Sequence, residues 1–116
     1  MSTPSIVPTV TLDCDAIRDW PTFHDEFARV FGFPDFYGKN MDAWIDCMTS
    51  LDLPEDGMSK VHCAPGTVFT LALQNVKSFK RRYPEQYDAI VRCTAFVNFR
   101  RIEVGEPSVL ALSFHN

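Results

Sequence analysis

Glycine is scarce, with five in 116 residues, and none stands in a GxxxxGK, GxGxxG or GxSxG arrangement. The phosphate cradles and the nucleophile elbow that such spacings build are therefore missing. Cysteine is sparse and dispersed: Cys14, Cys47, Cys63 and Cys93 include no CxxC pair. That predicts thiols in a reducing compartment, mostly small core residues. No apolar run reaches the length that spans a bilayer, and MSTPSIVPTVTLDCD has no basic stretch followed by an apolar one. A cytoplasmic chain without membrane association is expected. A basic excess is also lacking, since the net charge is -4 and the pI near 5.2. Both weigh against a general nucleic-acid binder and toward a basic partner.

Metal ligands do not cluster either. His62 and Cys63 are adjacent, which is poor geometry for one ion, and other ligand types are distant, so no metal and no cofactor is expected. A catalytic cysteine would need a histidine delivered by the fold, and His24, among charged neighbours, reads as a surface residue. The enzyme case is thin.

What is present is an ordinary globular composition, 46% hydrophobic with 10 Phe, 2 Trp and 3 Tyr. It is enough to bury a core in one domain spanning 1–116. TVTLDC (9–14) alternates as a short strand does, with Pro4 and Pro8 placing its start near Thr9. Asp19 can cap a helix carrying Pro21 in its first turn, with Phe23, Phe27, Val30 and Phe31 on one face and Gly32 and Pro34 at its end. Asn40 is the natural N-cap of a second helix reaching about Leu51, because its side-chain oxygen can accept a first-turn N–H; Pro54 cannot continue it.

Residues 52–66 carry three turn signals and read as an exposed loop. VFTLAL (68–73) has the apolar run of a strand buried on both faces. A short helix is expected from Asn75 or Ser78 to about Arg82. A longer one begins at Pro84, with Tyr87, Ile90, Val91, Thr94 and Val97 at helical intervals and Gly105 and Pro107 closing it. VLALSF (109–114) repeats the buried-strand pattern. Strands so separated favour parallel pairing through right-handed crossovers. The expected fold is α/β, a three-stranded parallel sheet packed with about four helices.

At 100° per residue, Trp44, Cys47, Met48 and Leu51 gather on one side of the second helix. Asp42, Asp46 and Thr49 gather on the other, with Met41 and Ile45 between. Carboxylates at i and i+4 usually form a solvated face. Here no Lys or Arg follows either aspartate at i+3 or i+4, and Lys39 offers partial relief from their repulsion. An unpaired acidic face beside Phe36, Tyr37, Met41 and Ile45 has the make-up of an interface centre awaiting a basic partner. KSFKRRY (77–83) and FRRIE (99–103) mix cations with aromatics, the footprint of RNA contact. In a net acidic chain they read first as solvated faces, with Arg92, Arg100 and Arg101 pairing with Glu85, Glu103 or Glu106.

FPDFYGKNMDAWIDCMTS (33–50) resembles, without a gap, the stretch LPEYYGENLDALWDCLTG of the barstar family of ribonuclease inhibitors. The resemblance covers 18 residues closely and the rest of the chain in element order. It implies a three-stranded parallel sheet with helices, no catalysis, and a turn and helix that plug a basic ribonuclease or toxin. Asp42 and Asp46 then match the carboxylates that stand in for substrate phosphate, and Tyr37, Gly38 and Asn40 match the contacting turn. Phe36, Lys39 and Ile45 depart from the family's tyrosine, acid and tryptophan, which points away from barnase itself as partner. The family also uses a glutamate of its last helix, where NFRRIE offers an arginine or Glu103. The alternative is a barstar-fold interaction module with no ribonuclease partner; a third reading is RNA contact through 77–82.

Overall fold

The computed structural model describes residues 8–116, so the expected role of Pro4 lies outside the described residues. Strands β1 (Thr9–Asp13), β2 (Phe69–Gln74) and β3 (Leu110–Phe114) form one parallel sheet in the order β1-β2-β3. Helices α1 (Trp20–Phe31) and α2 (Met41–Thr49) separate the first two strands, and α3 (Val76–Arg82) and α4 (Pro84–Glu103) the last two. The expected α/β fold is the one observed.

Local chemistry explains the element ends. The Asp19 carboxylate accepts from Thr22 N–H at 2.8 Å while the Thr22 hydroxyl accepts from Asp19 N–H at 3.0 Å, closing a reciprocal cap on α1. Gly32 ends that helix at φ +67°, and a Cβ there would stand 2.7 Å from Lys60 Cβ. Glycine is needed twice over, for the left-handed turn and for the close approach. A helix of 12 residues is marginal alone, so α1 depends on its buried row Phe23, Phe27 and Phe31.

β2 is central, its Leu71 and Leu73 wholly buried, as the apolar run predicts. β3 departs from expectation: only Leu110 is buried, and Phe114 is 51% exposed. Like β1 it is an edge strand, paired with β2 on one side, and it is packed by α4. Asn98 of α4 fixes where it starts, accepting from Val109 and Leu110 N–H at 2.9 and 3.1 Å and donating to the Leu110 carbonyl at 2.8 Å. α2 lies against α4, which brings the residues after the Phe36 turn beside the last helix. The expected loop 52–66 contains one short 3-10 turn, Pro54–Asp56.

Candidate functional site

The turn before α2 is built from the inside out. Tyr37 N–H donates to the Pro34 carbonyl at 2.9 Å, folding residues 34–37 tightly. The Tyr37 ring packs 4.7 Å from Phe33, and its hydroxyl and His24 Nδ1 share a hydrogen bond of 2.6 Å. His24 is buried, which corrects its reading as a surface histidine. Trp20, Phe23 and Phe27 place that face of α1 inward, and the same periodicity could have placed His24 there. Burial holds its imidazole below the ordinary histidine range, with Lys39 adding to the effect and Asp25 opposing it. Burial likewise pushes the Tyr37 hydroxyl up.

With Tyr37 drawn inward, its neighbour Phe36 is left 75% exposed at the tip. Gly38 and Lys39 follow, and Lys39 adopts φ +53°, a left-handed conformation that costs a non-glycine residue about 1–3 kcal/mol. Its ammonium reaches Asp25 of α1 at 3.1 Å, so it relieves that carboxylate rather than Asp42. Asn40 caps α2 as expected, accepting from Ala43 N–H at 2.8 Å.

On α2 itself, Trp44, Cys47, Met48 and, beyond it, Leu51 are buried, while Asp42 and Asp46 are exposed one turn apart. Asp42 lies in the first turn, where the helix dipole favours a negative charge. Among the described residues it has no ion pair. Asp46 differs: Arg100 of α4 donates to it at 3.2 Å. The acidic face is thus paired at one of its two carboxylates, by a cation 54 residues away that local spacing could not reveal. Ile45 is 8% exposed, as is Tyr37; the two support the surface from beneath, and Phe36 alone of the three projects from it. Glu103 makes no ion pair among the described residues, and the α4 residue beside Asp46 is Arg100.

Below this surface, Arg101 and Asp52 form a buried bidentate pair at 2.8 and 2.6 Å. Burial raises the Asp52 pKa, but the Arg101 hydrogen bonds and charge outweigh it and hold the carboxyl below its usual range. Arg92 pairs with Asp88, so none of the three arginines takes the glutamate expected for it. Burial raises all four thiols, Cys14 to about 12 and Cys47 to about 11. Among the described residues no group of three or more His, Cys, Asp and Glu could hold a metal ion, and no helix is long and apolar enough to cross a membrane.

The fold and the site define a class: a small α/β domain with an ordered turn and a charged helix face exposed side by side. The chain belongs to the Barstar family, whose model, described as Barstar (barnase inhibitor), matches residues 7–106. It is also similar to the Bacillus subtilis (strain 168) protein named "Putative ribonuclease inhibitor YrdF", with 37% identity over 46 residues. That match covers 39% of this chain and spans half the length of the relative.

Proposed function

We propose that this chain is a cytoplasmic inhibitor that seats the Phe36 turn and the exposed face of α2 in the active-site cleft of a basic ribonuclease or ribonuclease toxin. The observation that carries the reading is the placement of Asp42 and Asp46 on one exposed face of α2, directly behind an ordered turn. Carboxylates fixed on a helix can take the positions of substrate phosphates against catalytic cations, and their charge steers the encounter. Phe36 supplies the apolar contact. Gly38 lets backbone approach the partner closely, Asn40 fixes the start of α2, and Tyr37 and Ile45 hold the surface in shape. A basic ribonuclease should be inhibited competitively with RNA, and less so as salt rises. Asp42→Ala and Asp46→Ala should each weaken inhibition about tenfold or more; unchanged inhibition by both would sink the assignment.

A second reading, an interaction module without a ribonuclease partner, is favoured by Lys39 within the turn and by Arg100 on Asp46. A panel of basic ribonucleases of which none is inhibited decides for it.

A further inference from the structure

Asp46 meets a cation of its own chain before it meets any partner. Arg100 Nη1 lies 3.2 Å from Asp46 Oδ1, and the guanidinium carbon stands 6.0 Å from the centre of the Phe96 ring, one turn earlier on α4. Phe96 is 48% exposed, and the side chains of Arg100 and Asp46 are 39% and 57% exposed. An ion pair this open contributes little to folding. Its consequence falls on whatever else would bond Asp46.

The two aspartates of α2 are therefore unequal: Asp42 is without an ion pair among the described residues, and Asp46 is already matched. A partner cation that takes Asp46 must displace Arg100. The aromatic face of Phe96 then keeps the displaced guanidinium at the edge of the same surface, where it meets the partner too. Against a cleft holding only cations it would be a like charge in a desolvated contact, which is costly. Against a cleft that also offers a carboxylate, its planar fork finds a fitting acceptor.

We propose that Arg100 is the specificity-determining residue of this surface, competing for Asp46 and selecting a partner that brings a carboxylate to Arg100 together with a cation to Asp46. The inference rests on the reading of Asp42 and Asp46 as the binding surface, and the experiment separates the two. Barnase, the ribonuclease named in the family description, is the probe of a basic cleft that the unaltered chain is expected to fit poorly. Its inhibition is titrated with the full chain and its variants, and inhibition by none of them, Arg100→Gln included, overturns the role of Arg100. Arg100→Gln should bind at least about tenfold more tightly than the unaltered chain. Arg100→Lys, which keeps the charge, should stay within about threefold of it. Adding Asp46→Ala to Arg100→Gln should abolish the gain. No gain in Arg100→Gln, with Asp46→Ala alone still weakening binding, overturns the role of Arg100 and leaves the proposed function standing. A gain in Arg100→Lys equal to that in Arg100→Gln also overturns it, because shape rather than charge would be responsible. Asp46→Ala without effect in either background overturns the surface assignment and this inference with it.

Discussion

Arg100 and Arg101 are neighbours on α4, and both reach across to α2 and the residues that follow it. Arg101 is 4% exposed and spends four hydrogen bonds: two on Asp52, one on the Thr49 carbonyl at 2.9 Å and one on the Pro107 carbonyl at 2.8 Å. Among the described residues the Arg100 side chain makes one hydrogen bond, at 3.2 Å, across an open surface. The rotation of 100° between consecutive helical residues separates them, turning one inward and the other to the rim. Burial makes the inner pair consequential, since removing one member strands a charge away from water, whereas solvent replaces whatever the outer pair loses. The inner arginine holds α2 and α4 in place; the outer one sets the charge of the face they present.

The strongest way to break this contrast is Arg101→Ala, which should lower unfolding stability in urea by about 3–5 kcal/mol because Asp52 is left buried and unpaired. Removing Asp52 as well, as Asp52→Ala with Arg101→Ala, should cost less than the two single losses added together. A loss below about 1 kcal/mol for Arg101→Ala would place it in the same class as Arg100.

The turn repeats the pattern with Phe36 outward and Tyr37 inward. Tyr37→Phe should cost about 1–3 kcal/mol, since it leaves His24 Nδ1 buried without its partner. The pH dependence has a definite sign. With its folded pKa held below the ordinary 6.5, His24 contributes stability that is complete above 6.5 and is lost as pH falls through the folded value. Urea midpoints should therefore drop between pH 7.5 and pH 5, and this slope should diminish in His24→Gln. An equal slope in both proteins would remove His24 as its source. Burial, not the tyrosine hydroxyl, causes the shift, so Tyr37→Phe should keep the slope while lowering every midpoint.

What could be read ahead of the structure follows the range of the interaction. Asp19 with Thr22, Pro21, Gly32 and Asn40 act within a few residues, and their helix ends stand where the local chemistry puts them. Phe23, Phe27 and Phe31 show in their spacing because a helix must turn one face to the core. β3 departs from its buried-strand pattern because an apolar run reports composition, whereas an edge position is decided by sheet order. Arg101 with Asp52 and Arg100 with Asp46 lie 49 and 54 residues apart, so no window along the chain could join them. The same holds for Asn98 and the start of β3. The surface was thus legible as residues, while its charge balance was settled only by the packing of α2 on α4.

The smallest expected effect sharpens the contrast most. Arg100→Ala should change unfolding stability by no more than about 0.5–1 kcal/mol, because the Asp46 carboxylate remains hydrated when its partner leaves. The residual effect should shrink as salt rises toward 1 M, where screening acts within about 3 Å. Arg101→Ala should keep nearly all of its cost in the same salt series, since solvent ions do not reach a pair that is about 95% covered. Urea titrations of both variants at low and high salt measure this directly. If the two losses fell in parallel with salt, the pairs would share one environment and the division of labour along α4 would fail. If only the Arg100 effect fades, that residue is free to be tuned for recognition at almost no cost to the fold.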